Sequence, residues 1–211
     1  MTYLCELARR HQTDKGGNHL VYGGEPTDCC HNYTPAYDEL LSPRRHLVQR
    51  VLEIGVNRGC SLRMWAEYFP AAEVIGFDLD PRTLFADGRI RCCQADQASP
   101  MSLLDAVSRA GGGPFDLIVD DGSHQWQHQV TTAATLLGLL APGGVYVVED
   151  LAIDCQPELV ADRVTLPPGM AWRAIPCGFG LGEKARCHPA CDRCGGTAGE
   201  QLLVFEWSNR L

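Results

Sequence analysis

The sequence predicts an α/β fold, a central mostly parallel sheet with helices on both faces. Three observations predict it. From Val51 onward, short apolar runs alternate with longer amphipathic stretches, the rhythm of βαβ units. The runs end in glycine or acidic residues, and Gly, Pro and Asp clusters punctuate the stretches between them. The run Phe115 to Val119 is strongly apolar, as a strand covered on both faces requires.

Val51 to Ile54 is the first strand; Gly55 ends it, and Gly59 precedes a helix from Ser61 to Phe69 whose Leu62, Trp65, Ala66 and Phe69 share one face. Pro70 closes that helix. Glu73 to Phe77 is the second strand, running into Asp78-Leu79-Asp80-Pro81, where proline suits the first turn of another crossover helix. Ile90 to Ala95 is the third strand, with Cys92 and Cys93 on its opposite faces and Asp96 at its end. Pro100 to Arg109 reads as a helix stopped by Gly111-Gly112-Gly113-Pro114. The fourth strand runs into Asp120-Asp121-Gly122-Ser123-His124. A helix from Gln125 to Leu140, a Pro142-Gly143-Gly144 turn and a fifth strand, Val145 to Val148, complete the strong pattern, and Glu149-Asp150 forms the last tip. Ala171 to Ile175 and Leu202 to Trp207 supply two more strands, so a seven-stranded sheet is expected.

Residues 1–50 break the rhythm and carry Gly16-Gly17, Gly23-Gly24, Pro26 and Pro35, so they read as a cap of short helices ahead of a main domain spanning 51–211, with a cysteine-rich insertion at 177–196. The net charge of -8 excludes a nucleic-acid surface of clustered Lys and Arg. No stretch approaches the roughly 20 apolar residues that span a bilayer, and Met1 to Arg10 lacks the pattern of a secretory signal, so a cytoplasmic protein without membrane contact is expected. Eleven cysteines, an odd number in such a setting, point to metal binding more than to a disulfide framework.

In an open parallel sheet, ligands bind beyond the carboxyl ends of the strands, and here those ends carry the polar residues. Gly55-Val56-Asn57-Arg58-Gly59 is a glycine turn but not the dinucleotide fingerprint. Asp78, acceptor-only when ionised, suits a pair of ribose hydroxyls, and Asp96 and Gln97 are candidates for an adenine edge. Asp120-Asp121 and Glu149-Asp150 end neighbouring strands, and convergent carboxylates repel unless a cation compensates them. Oxygen ligands of this kind suit Mg2+. Asp120 has an ordinary alternative as a cap for the following helix, and His124 as a surface histidine in a polar turn.

These residues resemble the metal-dependent class I S-adenosylmethionine sugar O-methyltransferases of antibiotic biosynthesis, the mycinamicin and macrocin type, which share motifs with the cephalosporin hydroxylases. The resemblance runs through Thr13-Asp14-Lys15-Gly16, Tyr33-Thr34-Pro35-Ala36-Tyr37, Glu53-Ile54-Gly55, Ser61-Leu62-Arg63-Met64-Trp65, Val119 to His124 and Val148-Glu149-Asp150. It implies a Rossmann-like fold in which Glu53 approaches the cationic methionine moiety of S-adenosylmethionine. Gly55, Asn57, Gly59, Ser61, Asp78, Asp96, Gln97, Asp120 and Lys15 would join Glu53 around that cofactor. Asp121, Glu149 and Asp150 would hold Mg2+, and Asp121 and His124 would be the catalytic pair, His124 as general base. The implied reaction is methyl transfer to a sugar hydroxyl of a glycosylated natural product by an enzyme that self-associates. N-methylation of an aminosugar is the near alternative, and a non-catalytic cofactor-binding or zinc-mediated interaction protein the alternative of a different class.

Cys187, Cys191 and Cys194, with Cys177 as a fourth thiol or His188 in its stead, have the spacing of a structural zinc knuckle. Unmetallated thiols or a disulfide are the plain alternatives. The Cys-x3-Cys-x2-Cys spacing also matches the cluster motif of radical S-adenosylmethionine enzymes, but its place after a complete sheet does not. Cys29-Cys30-His31 reads as cap packing, with a second metal site as its alternative.

Overall fold

The computed structural model describes residues 2–16, 20–22, 25–27, 31–151, 157–177 and 201–208. The cap begins with α1 (Tyr3–His11), whose N-cap Thr2 accepts from the Cys5 N–H at 3.3 Å. An antiparallel pair, β1 (Leu20–Tyr22) and β2 (Glu25–Thr27), and α2 (Thr34–Leu41) complete it. Then follow β3 (Arg50–Ile54), α3 (Cys60–Tyr68), β4 (Glu73–Asp78), β5 (Ala86–Asp87), β6 (Ile90–Gln94) and α4 (Pro100–Arg109). The chain continues through β7 (Phe115–Asp120), α5 (Trp126–Leu136), β8 (Leu140–Val148), α6 (Pro157–Ala161), β9 (Met170–Pro176) and β10 (Gln201–Trp207).

Among the described residues the main sheet has eight strands in the order β5-β6-β4-β3-β7-β8-β10-β9. Strands β6, β4, β3, β7 and β8 are parallel, while β5, β10 and β9 are antiparallel to their neighbours. The Rossmann-like expectation of a mostly parallel sheet with helices on both faces holds. The eighth strand is the two-residue β5, which forms a hairpin with β6.

That hairpin replaces the crossover helix expected at Pro81, where only a single 3-10 turn, Pro81–Thr83, forms. The link from Asp78 to Ile90 is shorter than the dozen or more residues that a helical crossover takes, and the Asp80 side chain closes a local turn by accepting from Arg82 N–H. The helix expected to Leu140 ends at Leu136 in a 3-10 turn, and β8 starts at Leu140 rather than Val145. The Pro142-Gly143-Gly144 signal survives as an irregularity inside β8, with Gly143 at φ 76° and a register shift opposite Phe115/Leu117.

Alternation along the strands splits the core in two. Val51, Val74, Leu117, Val119 and Val147 pack under α1, α2 and α3; Leu52, Ile75, Phe77, Ile118, Tyr146 and Val148 pack under α4, α5 and α6. Cys92 and Cys93 sit against opposite clusters, as their adjacency predicts. The cap shares the first core: Leu4, Leu7, Tyr33, Tyr37 and Leu41 are buried with Trp65 and Tyr68, and Tyr37 meets Trp65 edge-on with ring centroids 5.1 Å apart. Each such side chain contributes about 1.5–3 kcal/mol of apolar burial, enough to press the cap's polar residues onto the strand tips.

The chain runs outward from β3 to β6, then returns to β7 on the other side of β3. The crevice at the carboxyl ends of β3 and β7 is therefore the topological switch point where open sheets bind ligands.

Candidate active site

At that crevice Gly55 turns the chain at φ 96°, and a Cβ there would lie 2.0 Å from the Asp121 carbonyl oxygen. Only glycine permits this approach, which lets Asp121 N–H donate to Ile54 O at 2.9 Å. The turn continues through Asn57 at φ 47° to Gly59 at φ 70°, the N-cap of α3. Asp78 pins the turn: Oδ2 accepts from the N–H groups of Val56 at 2.8 Å and Asn57 at 3.2 Å, and Oδ1 accepts from Asp80 N–H at 2.9 Å. Between this turn and Gln12-Thr13-Asp14 of the cap lies a cavity of about 340 Å3, lined also by Cys60, Ser61, Asp78, Asp121, His124 and Asp150. Its size falls at the lower end of small-molecule sites, which run from about 300 to 1,000 Å3.

Behind the cavity wall the acidic strand tips do meet around a cation, and that cation is a lysine. Lys15 Nζ lies 2.5 Å from Asp121 Oδ2, 2.6 Å from Glu149 Oε2 and 3.2 Å from Glu53 Oε1. The remaining oxygens of both glutamates are taken: Tyr37 OH donates to Glu149 Oε1 at 2.5 Å, and Trp65 Nε1–H to Glu53 Oε2 at 2.7 Å. Burial alone would lower the Lys15 pKa, but the charges of Asp121, Glu149 and Glu53 outweigh it and hold it well above the ordinary lysine value. Three carboxylates against one ammonium leave a formal surplus of negative charge. Burial first, and then mutual repulsion opposed by Lys15, raises the pKa of Glu53, Asp121 and Glu149.

On the cavity side, Asp121, His124 and Asp150 each offer a ligand atom, and these atoms all lie within 4.8 Å of one another. Asp150 Oδ1 accepts from Tyr33 OH at 2.7 Å and lies 3.3 Å from His31 Nδ1, while its Oδ2 lies 3.8 Å from His124 Nε2. His124 and Asp150 both hold positive φ, 58° and 46°, a cost of order 1–3 kcal/mol each that clusters at functional sites. The expected trio of Asp121, Glu149 and Asp150 is thus divided. Glu149 is withheld from the group by Lys15 and Tyr37, and His124 stands in the group instead.

Other expected cofactor contacts have structural partners. Glu53 is fully buried and engaged by Lys15, Trp65 and Ser61, so it does not line the cavity, whereas Ser61 does. Lys15, expected beside the cofactor, is 1% exposed within the carboxylate cluster. Asp120 neither caps α5 nor reaches the cavity; it is buried beneath Tyr146 and Gln97, whose OH and Nε2 donate to it at 3.1 and 2.5 Å. Burial lifts its pKa to about 6, against the pull of Tyr146, Gln97 and Thr132. Gln97 spends its Oε1 on Ser123 N–H in the loop after β7, and Asp96 spends Oδ1 on Ala98 N–H in its own loop. The expected knuckle residues Cys187, Cys191 and Cys194 lie outside the described residues, as do His188, Cys29 and Cys30. Cys177 is buried and its Sγ–H donates to Ile175 O at 3.3 Å.

Tyr33, Tyr37, His31 and Trp65 are the partners that sequence reasoning did not assign. The available signals were indirect: Tyr33, Tyr37 and Trp65 stand in motifs that carry the family resemblance, and buried carboxylates demand donors from somewhere in the chain.

A glycine turn after the first sheet strand, an acid at the tip of the next and a cavity at the switch point fit the class I methyltransferase architecture. The methyltransferase-domain family model matches residues 52–151. The chain is 39% identical over 161 residues to the 8-demethyl-8-alpha-L-rhamnosyl tetracenomycin-C 2'-O-methyltransferase of Streptomyces olivaceus, covering 73% of this chain and 39% of that one. It is 38% identical to the mycinamicin VI 2''-O-methyltransferase of Micromonospora griseorubida, over 70% of this chain and 36% of the relative. A solved structure of MycE methyltransferase from the mycinamycin pathway, in complex with Mg and SAH, superposes with a TM-score of 0.59 at 38% identity, covering 71% of this chain and 37% of that one. Residues 52–151 carry a methyltransferase domain, and over about 70% of its length the chain is similar to sugar O-methyltransferases of antibiotic biosynthesis. It spans less than two fifths of the length of these curated relatives.

Proposed function

We propose that this chain carries the catalytic domain of an S-adenosylmethionine-dependent, Mg2+-assisted methyltransferase acting on a sugar hydroxyl of a glycosylated natural product. The observation that carries the reading is that Asp121, His124 and Asp150 converge on the same cavity that the Gly55 to Gly59 turn and Asp78 line. The names of the relatives, O-methyltransferases acting on sugars, favour oxygen over nitrogen as the acceptor. The residues fit both groups in part. Asp78 and the backbone of the glycine turn suit the nucleoside end of the donor, but Glu53 is sealed off from its methionine end. Asp121 and Asp150 are hard oxygen donors close enough to share one ion.

Asp121 and Asp150 would hold the divalent cation, which when bound lowers the pKa of a coordinated hydroxyl. Lys15 fixes Asp121 from behind, and Tyr33 fixes Asp150, so neither carboxylate must be ordered at the moment of reaction. A bound sulfonium donor would supply the methyl carbon and leave as a neutral thioether, and His124, 43% exposed and beside Asp150, would take the proton of the acceptor hydroxyl as its oxygen bonds to that carbon. A mature macrolide or polyketide glycoside assayed with and without chelator tests the reading. Activity lost on chelation and restored by Mg2+, together with a fall of at least about 100-fold in kcat for His124→Ala with S-adenosylhomocysteine affinity retained, is the expected result. Turnover indifferent to both treatments would overturn it.

A further inference from the structure

Resting on that reading, we infer that Asp14 receives the α-ammonium of the methionine moiety, the role that the strand-tip Glu53 would otherwise fill. A class I donor carries a zwitterionic amino-acid tail, so its pocket needs an anion for the ammonium and hydrogen-bond donors for the carboxylate. Glu53 cannot supply the anion. Trp65 holds Oε2, Oε1 makes only the 3.2 Å ion pair with Lys15, Ser61 adds a further contact, and the side chain is fully buried outside the cavity.

Among the described residues, four acidic residues line the cavity: Asp14, Asp78, Asp121 and Asp150. Three are committed. Asp78 accepts three backbone N–H groups at the tip of β4, Asp121 is held by Lys15, and Asp150 by Tyr33. Asp14 is exposed, and among the described residues no hydrogen bond or ion pair engages its carboxylate. Its backbone is nonetheless fixed, because its carbonyl accepts from His31 N–H at 2.9 Å while Lys15, the next residue, is anchored in the buried acid cluster. One short segment therefore divides the work: Lys15 neutralises the family's acid, and Asp14 presents a replacement on the cavity side. The opening turn of α3, at Cys60 and Ser61 on the same cavity, supplies N–H donors suited to the tail's carboxylate.

The test compares two ligands that differ only in the tail. Calorimetric titration of the wild-type chain and Asp14→Asn with S-adenosylhomocysteine and with 5'-methylthioadenosine, which lacks the amino acid, separates the ammonium contact from the rest of the site. The expected result is S-adenosylhomocysteine binding weakened about 10- to 100-fold in Asp14→Asn, the scale of one charge-assisted hydrogen bond, with methylthioadenosine binding unchanged. Asp14→Glu should recover part of the loss. Equal S-adenosylhomocysteine affinity in both proteins would overturn the inference and leave the methyltransferase reading standing, as would an equal loss for both ligands. Failure of the wild-type chain to bind either ligand would overturn both.

Discussion

Asp120 shows how far one residue's role depends on its surroundings. As part of Asp120-Asp121 it reads as half of a carboxylate pair, yet alternation along β7 sends it to the opposite face from the cavity, under Tyr146. Its pKa of about 6 in the folded state lies above its value of about 3.8 in the unfolded chain, so the folded state binds the extra proton. The associated stability is fully present below the unfolded value and is lost as pH rises through 6. Relative to Asp120→Asn, which cannot titrate, the wild-type protein should lose about 1–2 kcal/mol between about pH 5 and pH 7.5. Urea unfolding of the two proteins across that range measures the gap, and a constant gap would remove Asp120 as its source. Lys15 is the second case at this scale. Lys15→Met would strand Glu53 and Glu149 in the interior and should cost about 3–5 kcal/mol, the usual result of breaking a buried charge pair. Adding Glu149→Gln should return part of that loss in the same unfolding measurement.

The glycine turn after β3 sets the geometry at the scale of the element. Gly55→Ala combines a positive φ with a contact 2.0 Å from backbone, so about 3 kcal/mol or more of destabilisation is expected, with loss of S-adenosylhomocysteine binding. Gly143→Ala, also at positive φ but with no atom within 4 Å of the added Cβ, should cost only about 1 kcal/mol and leave binding intact. Thermal unfolding of the pair distinguishes local strain from the close approach of two strand tips. The parallel strands, α3 and α4 were legible because each carries its own period and its own stop signal, such as Pro70 or the Gly111 to Pro114 run. The β5–β6 hairpin and the early start of β8 were not, because both follow from what neighbouring strands offer as partners. Proline at residue 81 signals the start of a helical turn, but not whether enough chain follows to build a crossover.

At the scale of the whole molecule, the cap and the sheet share one apolar core, and that packing brings Lys15, Tyr33 and Tyr37 onto the strand tips. By itself the sequence determined the order of the strands along the chain, the glycine turn, the acids at the tips and the family they resemble, because each is written in residues close together along the chain. Only the tertiary structure decided which acid faces which partner. Lys15 lies 106 residues from Asp121 and 134 from Glu149, so no local pattern links them, and their meeting depends on the cap helices burying Leu4, Leu7 and Tyr37 against α3. Once that burial fixes the cap, Coulomb attraction in a dry interior draws the ammonium to the glutamates, and the remaining carboxylates are left to the cavity.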